Sequence, residues 1–139
     1  MHEVISAKDI AVSGLKAQRI RMNVIANNIA NIHTTRTPQG GPFRRQLAIF
    51  RGNQIKRGAN PQNVGVRVKD IVSDTSPFRI VYQPDHPDAD GDGYVRYPNV
   101  RTSVEMANLV SAQRAYDANV AVIVSDKRMQ QRALEIIRP

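Results

Sequence analysis

The sequence predicts an α+β protein in which long N- and C-terminal helices pair as a coiled coil, with a small β-rich middle domain. Three observations carry this reading. Between Met1 and Thr37 the only glycine or proline is Gly14, and between Val100 and Arg138 there is none, whereas these residues crowd the stretch from Pro38 to Pro98. Both breaker-free ends repeat apolar residues every seven positions, and the middle breaks into short runs of β-branched and aromatic residues. Uninterrupted helices therefore belong at the ends and turns at the centre. The boundaries fall at residues 1–37 (N-terminal helix and cap), 38–98 (β-rich middle) and 99–139 (C-terminal helix).

In the first helix Leu15, Met22 and Ile29 form one seven-residue row, and Val4, Ala11, Ile25 and Ile32 fill the interleaved row, broken by Gln18. This is a heptad seam that asks for a helical partner. Asn23, Asn27 and Asn31 also follow one another at four-residue spacing, with Asn28 beside them. Asparagine is a poor helix-interior residue. On a seam it would penalise misregistered pairings that leave its amide unpaired; a solvated helix end capped near Asn31 is the alternative.

Four short runs in the middle read as strands: Gln46–Arg51, Val66–Val72, Phe78–Tyr82 and Tyr94–Tyr97. The last helix repeats the seam with Leu109, Tyr116, Ile123 and Ile137 on one row and Val120 and Leu134 on the other, interrupted by Gln113, Lys127 and Gln130. Within it Val120–Val124 is apolar on every side, so burial all round is expected. Helices of about 28 and 37 residues would be roughly 42 and 55 Å long, whereas a compact ball made of the middle segment would be about 27 Å across. Such a ball cannot cover the helices, so neighbouring subunits are expected to do so.

Composition excludes several classes. With no cysteine there is no disulfide framework, zinc ribbon or thiol nucleophile. No apolar run approaches the roughly 18 residues of a membrane span, and Glu3 and Asp9 stand where a secretory leader would be basic and then apolar. If the protein leaves the cytosol, an uncleaved route is expected. The formal charge of +8 is uneven: eight cations (Arg36, Arg44, Arg45, Arg51, Lys56, Arg57, Arg67, Lys69) precede six acids (Asp70, Asp74, Asp85, Asp88, Asp90, Asp92). Adjacent opposite blocks can pair within one chain or between copies.

Asp88–Gly93 matches the first half of a calcium-binding EF-hand loop, but position twelve is Asn99 instead of a bidentate glutamate, and Pro87 and Pro98 bracket it. An Asp/Gly-rich turn is the better reading. His86 beside Asp85 suggests an acid–base pair, yet no nucleophile, oxyanion turn or phosphate-cradling loop accompanies it, and His2 and His33 stand alone. No catalytic, cofactor-binding or metal-binding residues are assigned, and no enzyme activity is expected. Phe43 and Phe50 interleave with the basic block as in single-strand binders, which makes a nucleic-acid-binding module using residues 36–69 the alternative function.

The run Ser13–Asn31, continued by Thr34 and Thr35, resembles the N-terminal signature of bacterial flagellar basal-body rod proteins. Gly40–Gln46, Pro84–Asp90 and Gly93–Val95 narrow the resemblance to the proximal rod, and Glu105, Met106, Ser111, Ala112, Arg114–Val120 and Ala133–Ile136 resemble the family's C-terminal helix. Asp117 stands where many members have glutamate, and the resemblance does not extend to Arg51–Asn63. The resemblance implies a structural subunit that is exported through the flagellar type III apparatus and built into the hollow periplasmic drive shaft that carries torque to the hook. It implies as partners other copies of the chain, other rod proteins, the inner-membrane ring, rod-base adaptor proteins and the export apparatus, with no small-molecule substrate. Terminal helices that are largely unfolded before assembly belong to the same expectation. The expected assembly residues are Leu15, Met22, Ile25, Asn27, Asn28, Ile29 and Asn31 on the first helix. On the last they are Leu109, Tyr116, Asn119, Val120, Ile123, Leu134 and Ile137.

Overall fold

A computed structural model describes residues 6–57 and 60–137 of the chain. The element order is α1 (Ala7–Ala30), β1 (Gln46–Arg57), β2 (Asn60–Ser73), β3 (Arg79–Tyr82), β4 (Tyr94–Tyr97) and α2 (Thr102–Ile137). The α+β class and the terminal helices agree with the sequence reading, at 24 and 36 helical residues.

Helix α1 begins on a reciprocal cap. The Asp9 amide donates to Ser6 Oγ at 3.2 Å, and the Asp9 carboxylate accepts the Ser6 amide at 3.2 Å and hydroxyl at 2.7 Å, satisfying donors that a bare first turn leaves unpaired. It ends at Asn31, whose side-chain amide donates to the Asn27 carbonyl at 2.9 Å while its Oδ1 accepts the Thr34 hydroxyl at 3.1 Å.

The two helices pack against each other antiparallel. Asn28 meets Glu105, Arg21 meets Asn108, and Gly14 lies against Asn119. The approach at Gly14 is so close that a Cβ there would sit 2.7 Å from Asn119 Oδ1. Small buried residues allow this: Ala11, Gly14 and Ala17 on α1, Ala112 on α2. The seam rows on α1 are thus Ala11, Gln18, Ile25 and Gly14, Arg21, Asn28. Leu15, Met22 and Ile29 stand half-buried at its edge. The expected interleaved row holds at Ala11 and Ile25, whereas the row of Leu15, Met22 and Ile29 is displaced by one residue, because close backbone contact selects glycine and alanine where a count of large apolar side chains selects leucine and isoleucine. Val4 lies outside the described residues.

The middle segment differs from the compact ball assumed above. It forms two separate antiparallel pairs, β1–β2 and β3–β4, and β1 and β2 run beyond the expected strands, in register from Gln46↔Ser73 to Arg57↔Asn60. At roughly 3.4 Å per residue the 12-residue β1 gives a ribbon about 40 Å long. Gly52 and Gly65, read as strand breakers, are absorbed: one lies beside a register shift, the other takes φ +74° within β2. The ribbon lies along α1, tied to Asn28 through Gln46 and to Ser13 through the Val66 amide, which donates to Ser13 Oγ at 3.0 Å. It therefore covers part of α1 and leaves α2 uncovered.

The β3–β4 pair alternates cleanly. Val81 and the fully buried Val95 face inward, whereas Ile80, Tyr82 and Tyr94 face out. Val95, Pro98, Val100, Val24, Ile25 and Ala112 make up most of a small core.

Candidate assembly interface

A polar junction fixes how the helices meet the sheets. Asn28, fully buried, treats the first residue of β1 as a strand would: its amide nitrogen donates to the Gln46 carbonyl and its Oδ1 accepts the Gln46 N–H, both at 2.8 Å. The same nitrogen donates to Glu105 Oε2 at 3.0 Å. Glu105 is 0% exposed and receives Arg45 Nε on its other oxygen at 2.7 Å, so its charge is paired and hydrogen-bonded, as a buried charge requires. Arg45 also reaches Asp74 at 3.2 Å. Burial works against the Arg45 cation, yet hydrogen bonds and attraction from Glu105 and Asp74 outweigh it and raise its pKa. Hydrogen bonds from Ser76, backbone and hydroxyl, with Arg45 adding to them, hold Asp74 below the usual carboxylate range. Asn99 closes the junction, accepting the Arg45 amide at 2.8 Å and donating to the Asp74 carbonyl at 3.1 Å.

Of the asparagine row, Asn28 is this buried register group, Asn31 is the helix cap, Asn27 donates to the Gln46 side chain at 3.2 Å, and Asn23 is exposed. The capping alternative is thus seen at Asn31, and Asn28 is the buried, fully hydrogen-bonded amide of the row. Arg45, Asn99, Gly14 and Ser13 were not among the expected assembly residues; the acid Glu105 between Val104 and Met106 is the one sequence signal for a cation buried beside it.

On α2, Leu109, Tyr116, Asn119 and Ile123 lie half-buried toward α1, with the Asn119 side chain donating to the Ala115 carbonyl at 2.7 Å. Val120 and Leu134 are exposed, and the side chain of Ile137 lies outside the described residues. Burial on all sides of Val120–Val124 does not occur within one chain: Val120, Val122 and Val124 are exposed and only Ile123 is half-buried. At 100° per residue, Met106, Val110, Val120 and Val124 share one flank of the helix, and Val122, Met129 and Ile136, seven apart, share another. Continuing the helix register brings the start of α1 level with Asp126, so α2 projects roughly 16 Å further. Every described side chain from Lys127 to Ile136 is exposed, Ile136 at 85%.

The remaining motifs serve the fold. Asp88 binds the Thr35 hydroxyl at 2.7 Å and pairs with Arg36, and these contacts lower its pKa. Asp90 Oδ1 accepts the amides of Asp92 and Tyr94 at 3.1 and 2.8 Å, the turn chemistry of a short acidic loop. Among the described residues no cluster suited to a metal ion occurs. His86 Nδ1 accepts the Asp88 amide at 3.0 Å, and His86 and His33 both pack edge-on against Tyr97. The basic block is not one surface: Arg36 pairs with Asp88, Arg45 is tied to Glu105, and Arg44 donates to the carbonyls of Asp74 and Ser76 while stacking over Phe78. A nucleic-acid interface over residues 36–69 finds no support. No helix among the described residues is long and apolar enough to cross a membrane.

An antiparallel helix pair, with two small strand pairs joined to it by a buried polar junction and apolar flanks left bare on the second helix, is the architecture of a structural subunit. The chain belongs to the flagellar basal-body rod protein family. The family profile "Flagella basal body rod protein" matches residues 9–36, and "Flagellar basal body rod FlgEFG protein C-terminal" matches residues 92–136. The flagellar basal-body rod protein FlgC of Borreliella burgdorferi is 45% identical over 97% of this chain and 98% of that protein. FlgC of Escherichia coli O6:H1 is 41% identical over 92% and 93%, and FlgC of Bacillus subtilis 39% over 92% and 94%. Both matched segments coincide with the helices and the contacts that join them. The family is structural, not enzymatic.

Proposed function

We propose that this protein is a structural subunit of the proximal flagellar rod that polymerises through its terminal helices, paired as a coiled coil, into the hollow shaft that transmits torque from motor to hook. One observation carries the reading: α2 outruns α1 and the sheets, so Met129, Leu134 and Ile136 at its end and the valines on its flanks face water in a single chain. Soluble monomers rarely leave so many large apolar side chains of one helix uncovered, and repeated subunits cover them by mass action. Stiffness follows, because a helix buried on several sides cannot bend without breaking packing on all of them. Partners on this reading are further copies, other rod proteins, the inner-membrane ring, rod-base adaptors and the type III export apparatus, with the assembled subunit in the periplasmic part of the basal body.

The test places a charge on the projecting flank. Met129→Asp with Ile136→Asp should leave the circular dichroism of the lone chain unchanged and abolish motility, since a carboxylate in a dry interface is costly. Motile cells with normal basal bodies would refute the burial.

A further inference from the structure

The β1–β2 ribbon carries charge that its own fold leaves unneutralised. Arg51 and Arg67 are register partners directly across the ladder, so they share a face, a like-charge pairing that works against the ribbon. Lys69, left without a cross-strand partner by the shift between Ile49 and Phe50, is exposed beside them. The next pair on that face is Ile49 with Asp70, both exposed. Among the described residues no carboxylate forms an ion pair with Arg51, Arg67 or Lys69.

The β3–β4 pair presents the complement. Its outer face carries Ile80 and Tyr82, 64% and 62% exposed, with Tyr94 edge-on to Tyr82 at 5.3 Å and Arg96 as that face's cation. The turn joining the two strands adds exposed Asp85, Asp90 and Asp92, none of them in an ion pair among the described residues. This surface is rigid. Asp88 is anchored to Thr35 and Arg36, Asp90 holds the amides of Asp92 and Tyr94, and Gly93, at φ +82°, is packed closely beneath the Tyr82 ring and Pro84. Exposed tyrosines and an isoleucine rimmed by acids have the composition of an interface anchor.

The two faces sit at opposite ends of the molecule. The ribbon's cationic part lies beside Ser13, near the start of α1, and the acidic turn is held just beyond Asn31 at its end, roughly 27 Å apart along the helix. A single chain cannot bring them together; two copies can. We propose that the Ile80–Tyr82–Tyr94 surface and acidic turn of one copy dock on the Arg51–Arg67 face of the ribbon of a second copy. A contact between unlike patches is heterologous, so it propagates from copy to copy. It uses surfaces that helix packing leaves free and does not depend on the proposed burial of α2.

The chain has no cysteine of its own, which makes the test direct. In assembled basal bodies, the double variant Arg51→Cys/Asp92→Cys should give, on oxidation, a ladder of disulfide-linked oligomers, and either single variant should give none. No ladder from motile cells, or dimers from Arg51→Cys alone, overturns the proposal. A second measurement covers the case in which the double variant does not assemble. In the purified full chain, Arg51→Glu/Arg67→Glu and Asp85→Lys/Asp92→Lys should each self-associate at least tenfold more weakly than the unaltered chain by sedimentation. Mixed together they should associate again, less so at high salt. Equal association of each variant alone overturns the head-to-tail contact. Loss of motility from charges on α2 with the ladder intact would separate this contact from the helix interface.

Discussion

At the scale of single residues, the pair Arg45–Glu105 decides how the molecule holds together. Glu105 reaches the seam from α2 and Arg45 from the start of β1, and Asn28 from α1 completes the triangle. Each member satisfies another, so removing one leaves a charge buried with half its partners. Arg45→Ala should therefore destabilise the folded chain by about 3–5 kcal/mol, whereas replacing both partners by apolar residues, Arg45→Met with Glu105→Leu, should cost markedly less. Denaturant midpoints of the full chain measure both, and equal losses would contradict the account. Little of this was legible beforehand. Arg45 read as one of eight cations in a basic block, because nothing local distinguishes an arginine that solvates from one that is buried opposite a glutamate sixty residues away. Asn28 was legible as an unusual amide on an apolar face, since its cost within a helix had to be repaid by a contact.

At the scale of elements, the ribbon β1–β2 depends on two glycine positions that differ in kind. Gly52 sits at a shift in the ladder, whereas Gly65 combines φ +74° with Ser13 Oγ only 2.5 Å from where a Cβ would lie. An alanine at 65 would meet both the backbone strain of the left-handed region and the hydroxyl that caps the Val66 amide. Gly65→Ala should destabilise the docked ribbon by about 1–3 kcal/mol and speed amide exchange around Val66 and Val68 while leaving α2 unchanged. Unaltered exchange in β2 would show that the ribbon is held elsewhere. The helices were legible because forty residues without glycine or proline leave few alternatives, and β3 and β4 because alternation over four residues is enough to mark a half-buried pair. The ribbon's length was not legible, since its glycines read as stops and only the register shifts show how a strand passes through them. The one-residue displacement of the α1 seam has a similar origin: glycine and alanine at 11, 14 and 17 contribute almost nothing to an apolar pattern, yet they set how near the helices come.

At the scale of the whole molecule, three aspartates guard three separate joints, and their titration links them. Asp9 closes the start of α1 through Ser6, Asp74 closes the base of the ribbon through Ser76 and Arg45, and Asp88 binds the acidic turn to the exit of α1 through Thr35 and Arg36. In each case hydrogen bonds to the ionised carboxylate, with a smaller contribution from nearby cations, lower the pKa below the ordinary 3.8. A carboxylate whose folded pKa is lowered contributes stability that is fully present above the unfolded value. That stability is lost as pH falls through the folded one. Arg45 moves the opposite way, upward, and so keeps its charge throughout the acid range. The melting temperature of the full chain should therefore hold level from neutrality to about pH 5 and fall steeply toward about pH 3. Asp88→Asn should lower the plateau and make the fall shallower, because one of the three titrating joints is gone. A profile flat between those pH values would mean that the joints contribute nothing to the fold. Since the same joints aim the ribbon and the acidic turn at opposite ends of α1, their protonation should also weaken contacts between copies in the same pH range, and sedimentation of the purified chain across it checks that coupling.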